Sequence, residues 1–309
     1  MITSLFRKST PLNYTLVIIG VIIVFFILQI HLNLGDVSGF VIVNDFLLLT
    51  VIFASLFTVN FITKKNGLSK DSAYTVLFYF LFLMFFPSVW IDFNLLLSNF
   101  FILLALRRLI SMHSAKAPKE KIFYASLWIF IAAFFHFWSI LFILLVFITI
   151  LFNTARDYRN WILPFIAFFV AATIFVLVAL FFETNWISIL LEKANINYKI
   201  DYFQNNSQNW ALSIYVTISL FFLVSMVFSI SKKAQIIQSS FNKIISAFII
   251  GLLVFIISPF KSNDVLIFTI APLAIMATSH IEMSKLKLQQ EIILGVLIIC
   301  SFFVYFSQL

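Results

Sequence analysis

Two aspartates, a histidine and a lysine–aspartate pair are the residues of this sequence whose types and spacing best suit chemistry. Asp36 and Asp45 follow the first apolar segment, Asp45 within IVNDFLLL. At the head of a helix such a carboxylate suits the dipole. His136 sits in AFFHFWSIL, midway through an apolar run from Ile122 to Phe152 that contains no Asp, Glu, Lys or Arg. It can face an outer cavity, or bond a backbone carbonyl within an aromatic belt. Lys261 and Asp264 share a short turn in SPFKSNDVLIFTIAPLAIM, where a cation and a carboxylate at headgroup depth can meet a lipid phosphate. As an exposed ion pair alone the turn would be worth little. Polar residues also recur in SVWIDFNLLLSNFF: Asp92 and Asn99, Asn94 and Ser98, each pair on one helical face. In lipid such groups must look toward other helices or water, so these four are expected to form an interior polar face that bonds helix to helix.

The elements that must position these residues are apolar helices. Sixty-three per cent of the chain is hydrophobic, ten per cent is charged, and the mean hydropathy is +1.11, outside the range of a soluble domain. The fold expected is all-α: a polytopic integral membrane bundle of about eleven transmembrane helices with a cytoplasmic N-terminus, forming one transmembrane domain over 1–309. Phenylalanine supplies 42 of 309 residues and glycine only six, so packing is expected to rest on bulky rings rather than on close Gly-x-x-x-Gly faces. No small-residue cleavage site follows the first span, which is expected to remain part of the protein. The longest polar stretch, 183–209, is too short to fold as a soluble domain.

Spans are expected near 14–31, 45–62, 73–87, 93–110, 161–182, 210–230, 241–258, 264–281 and 289–307, with the run 122–153 undecided by length alone. As one helix that run would be about 45 Å long, against a hydrocarbon core of about 30 Å. The basic residues discriminate better. With the run split near His136, only Lys193, Lys199 and Lys261 of the twenty Lys and Arg fall outside, and the other seventeen face the cytoplasm. Left unsplit, the division drops to thirteen against seven. The positive-inside rule therefore favours two short helices that meet at an outer turn carrying His136.

The same rule accounts for the net charge of +8 without nucleic acid. Membrane lipids are the partners expected, and the cytoplasmic basic loop 107–121 suits anionic headgroups. The outer loop 183–209 mixes aromatic and amide residues suited to sugar stacking, to docking a membrane-protein partner, or to interface anchoring. The lone Cys300 excludes an intrachain disulfide. No phosphate loop, dinucleotide fingerprint, serine elbow or His-Glu-x-x-His is present, and no metal site or cofactor motif is read.

The opening MITSLFRKSTPLNY, the length and the Phe-rich spans resemble, over the whole chain, a domain-of-unknown-function family of bacterial multi-pass inner-membrane proteins. More distantly, the layout resembles the C-type-fold membrane glycosyltransferases and related polysaccharide polymerases. The matching positions are an acidic first outer loop with Asp36 and Asp45, the hinge FFHFWSIL with His136, and Lys261 ahead of APLAIM with Pro272. That resemblance implies a polyprenyl-phosphate-linked sugar as substrate at the outer leaflet. It implies Asp36 or Asp45 in acid–base or metal work, His136 as a second polar group, and Lys261 with Asp264 at the lipid phosphate. A divalent metal at the first-loop carboxylate stays open. The sequence departs from the pattern in lacking an adjacent acidic pair, any outer arginine and a large outer domain. A non-catalytic assembly or accessory subunit of a cell-envelope complex remains the alternative reading. A transporter is a second alternative, disfavoured by the near absence of charge within the spans.

Overall fold

The structure is a computed structural model describing residues 2–32, 39–114, 117–181, 192–196, 206–259, 262–284 and 286–309. Among the described residues there is no strand. The α-helices are α1 (Ile2–Phe6), α2 (Pro11–Leu32), α3 (Gly39–Lys65), α4 (Tyr74–Leu83), α5 (Phe93–Ile110), α6 (Pro118–Phe135) and α7 (Ile143–Asn153). They continue as α8 (Arg159–Phe181), α9 (Asn206–Ile230), α10 (Gln235–Ile257), α11 (Ile267–Met283) and α12 (Lys287–Gln308). Short 3-10 turns precede α5 (Pro87–Ile91), follow it (Ser111–Ser114), join α6 to α7 (Phe137–Phe142) and lead into α11 (Asn263–Leu266). Proline opens α2 and α6 at a position where its missing N–H removes no helix bond.

Eight of these helices are long and apolar enough to cross a membrane, the make-up of a multi-pass helical bundle. The helix is the form such sequence takes in lipid because it satisfies its own backbone. α8 turns Phe165, Phe169, Leu177 and Leu180 outward, a surface suited to acyl chains and not to water. α4 and α11 are the opposite: every residue of α4 is buried, as is nearly all of α11.

By packing, the chain forms two compact units, neither contiguous in sequence. Unit 1 takes Met1–Leu96, Phe203–Lys233 and Ile270–Leu309, and unit 2 takes Leu97–Tyr202 and Ala234–Thr269. The centre of unit 1 is aromatic. Phe78 and Phe82 of α4 meet Phe222 of α9 at about 6.3 Å between centroids, and Phe86 meets Tyr215 edge-on at 4.9 Å. The polar tips find backbone partners: Trp90 Nε1 donates to the Leu83 carbonyl (3.1 Å) and Tyr305 to that of Val24 (2.6 Å).

In unit 2, α6 lies along α8 with Phe134 stacked on Phe175 at 4.6 Å and Phe130 edge-on to Phe168 at 5.3 Å. One glycine matters there. A Cβ at Gly251 of α10 would sit 2.8 Å from Thr269 Cγ2 and 3.2 Å from the Phe268 carbonyl, so the missing side chain lets α10 touch the backbone that opens α11.

Candidate functional site

The run from Ile122 to Phe152 breaks at His136. α6 closes as the His136 N–H bonds the Ala132 carbonyl (3.0 Å), and His136 itself is extended at φ −133°, ψ 105°. The Ser139 N–H then bonds the His136 carbonyl (3.0 Å), opening the 3-10 turn that leads into α7. No Gly or Pro lies in this stretch, so packing and not a breaker residue holds the bend. Phe135 stacks on Phe101 of α5, while His136 and Phe142 both pack on Phe268 of α11, at 5.5 and 5.9 Å.

Several polar and apolar features gather at this end of unit 2. His136 is half-buried, and among the described residues the fully buried Ser139 hydroxyl has no hydrogen-bond partner. Asp264, also half-buried, lies one turn before Phe268. Beneath the hinge runs an apolar slot of about 250 Å³, walled by Ala133, Phe134, Phe137, Ile140, Phe168 and Phe175. Trp138 Nε1 reaches the Asn195 carbonyl (3.3 Å), bringing the described residues 192–196 to the same end. Asp36 and Lys261 lie outside the described residues.

Asp45 belongs to unit 1. Its carboxylate, half-buried on α3, accepts from Gln29 Nε2 of α2 at 2.9 Å, so it ties two helices together. The expected interior polar face divides. Ser98 and Asn99 are buried, and the Ser98 hydroxyl donates across to the Ala132 carbonyl of α6 (3.1 Å). Asp92 and Asn94 are exposed instead, because α5 begins after Asp92, whose carboxylate caps the Leu95 N–H (3.0 Å).

Two arrangements escape sequence reading because their parts lie far apart in the chain. In unit 1, Glu282 accepts from Ser69 Oγ (3.0 Å), Ser72 Oγ (2.6 Å) and the Lys70 N–H (2.9 Å), beside a cavity of about 540 Å³. Nearby, Lys233 donates to Ser279 Oγ (2.6 Å); burial pushes its ammonium below the ordinary lysine pKa, Glu282 opposes that and Lys70 adds to it. In unit 2, Lys243 of α10 is fully buried and donates to the Leu109 carbonyl (3.1 Å), one of the unpaired carbonyls at the end of α5. Lys121 bonds the Ser111 carbonyl (2.7 Å) in the same way. Backbone need at a helix terminus explains both lysines.

Contacts also sort the cations. In unit 1, Lys64 pairs with Asp71 and the described cations cluster around the loops that meet at Glu282. In unit 2, Arg107, Arg108, Lys119, Lys121, Arg156, Arg159 and Lys243 lie at the end opposite His136, linked by Lys119–Asp157 (3.4 Å) and the α5 carbonyl bonds, while Lys193 lies near Trp138. Half-buried Asp157 is held below the usual carboxylate range by the Arg159 N–H first and Lys119 second. Among the described residues no three His, Cys, Asp or Glu side chains gather to hold a metal. Compared with protein-family models, curated proteins and solved structures, the chain matches none of them.

Proposed function

We propose that this chain is a bacterial inner-membrane protein with eleven crossings and a cytoplasmic N-terminus, acting as a transferase or polymerase on a polyprenyl-phosphate-linked glycan at the outer leaflet. The observation that carries the reading is the hinge: an extended histidine and an unpartnered buried hydroxyl directly over an apolar slot of about 250 Å³. A polar end above an apolar groove suits a sugar carried on a lipid. The topology draws support from the gathering of cations at one end of each unit. It also explains why the 122–152 run bends where a single helix would be too long.

In this reading the acceptor hydroxyl attacks the anomeric carbon, and a carboxylate base takes its proton. The bond from that carbon to the phosphate oxygen breaks, and polyprenyl phosphate leaves with the electrons. Lys261 offsets the negative charge that develops on the leaving group, and His136 with Ser139 orients the sugar.

The test is native mass spectrometry of gently purified protein, comparing the natural chain with His136→Ala, Lys261→Ala and Asp45→Ala. Retention of a polyprenyl-phosphate species that Lys261→Ala and His136→Ala both lose is the expected result. Retention of a second polypeptide instead, unaffected by any of the three, would establish the accessory-subunit reading, which the closely filled aromatic core of unit 1 favours.

A further inference from the structure

The cavity of about 540 Å³ in unit 1 is walled by three cations from three separate stretches: Arg7 after α1, Lys70 between α3 and α4, and Lys287 at the first residue of α12. We infer that this basin binds a phosphate-bearing anion: the headgroup of an anionic phospholipid in the adjoining leaflet, or a free phosphate or small phosphate ester.

The charge balance points to an anion. Glu282 is the one carboxylate on the wall, and its oxygens are already taken by two serine hydroxyls and a backbone N–H. Glu291, one residue beyond Gln290, is engaged by the Thr3 hydroxyl. Arg7 and Lys287 are exposed, and among the described residues neither has a carboxylate within ion-pair reach. Two cations without partners therefore share a polar recess with a third, Lys70, whose ammonium reaches only the Glu282 carbonyl (3.3 Å). The N-terminus of α12 adds partial positive charge at Lys287. Guanidinium and ammonium groups converging on one recess suit phosphate oxygens, and the volume falls within the range of small-molecule sites. The site is independent of the outer hinge, and the function proposed there can fail without affecting it.

The experiment compares the natural chain, Arg7→Ala/Lys287→Ala, and the control Lys8→Ala/Lys232→Ala, which removes equal charge outside the basin. Native mass spectrometry reads retention of phosphatidylglycerol and of phosphatidylcholine, and thermal melts read the response to inorganic phosphate. Selective retention of phosphatidylglycerol, reduced about tenfold or more in the basin variant and little in the control, identifies a lipid headgroup. A melting shift with inorganic phosphate that only the basin variant loses, without lipid selectivity, identifies a free phosphate ligand. Equal behaviour of the two double variants in both assays overturns the inference. Lys287→Gln, read the same way, replaces the double variant should that one not fold.

Discussion

Replacing Gly251 by alanine tests the packing that places the hinge. The added Cβ would stand 2.8 Å from Thr269 Cγ2 and 3.2 Å from the Phe268 carbonyl carbon and oxygen, against an optimum of about 3.5–4.0 Å. Thr269 cannot rotate away freely, because its hydroxyl donates to the Leu266 carbonyl (2.6 Å), and the Phe268 contact is backbone. Relief therefore needs α10 and the start of α11 to separate by roughly 0.7 Å. Overpacking of this kind costs about 1–3 kcal/mol, while alanine regains about 1 kcal/mol of helix propensity. Gly295→Ala in α12 is the matched reference: nothing lies within 4 Å of its Cβ, so only the propensity gain applies. The difference between the two variants isolates the packing cost, and Gly251→Ala is expected to be the less stable by about 1–3 kcal/mol. A thiol-reactive dye on Cys300, the single cysteine, reports the melts. Because the Phe268 ring rests on His136, Gly251→Ala should also weaken retention of any ligand at the hinge. Gly251→Ala melting at or above Gly295→Ala would refute the close approach.

Asp45→Asn keeps an oxygen for Gln29 and should change stability by less than about 1 kcal/mol, a small shift that melts can read. Lys243→Glu would point a buried carboxylate at the Leu109 carbonyl and the Asn153 side-chain oxygen, both acceptors, with a loss of about 3–5 kcal/mol visible as failed expression. Lys243→Met leaves the Leu109 carbonyl and the Asn153 side-chain oxygen without this donor but buries no charge, and should cost about 1–3 kcal/mol. Since burial lowers the pKa of Lys233, the folded chain holds that proton less tightly than the unfolded one. Its contribution to stability therefore grows as pH rises from the folded pKa toward the ordinary lysine value, and an alkaline series of melts on Lys233→Met should lack that gain.

The helices were legible because each is written as an uninterrupted apolar segment, and eight are long enough to cross a membrane. The break at His136 was legible by a different route. Its residues contain no breaker, but the run is long for one crossing and the positive-inside rule favours a split there. What stayed hidden depends on distance along the chain. Glu282 meets Ser69 and Ser72 more than two hundred residues away, so nothing local marks the basin. Lys243 reads as one more loop cation until α10 is seen to carry it under the last carbonyls of α5. Asp92 shows the converse limit: spacing put it on the same face as Asn99, but the start of the helix made it a cap.

The complete enclosure of α4 bears on how the protein is made. Ten residues rise about 15 Å, half the thickness of a hydrocarbon core. Such a segment is a weak insertion signal when it leaves the ribosome. Its walls arrive at very different times. α2 and α3 precede it, but Phe222 of α9, Thr278 of α11, which shares a hydrogen bond with Thr75, and the flank of α12 are synthesised much later. For most of translation one side of α4 must be held by lipid, by the insertion machinery or by a chaperone, and the bundle can close only once the C-terminal helices have entered. Biogenesis of this protein is therefore expected to be post-translational in its final step, with chains that stall before α12 becoming substrates for membrane proteases.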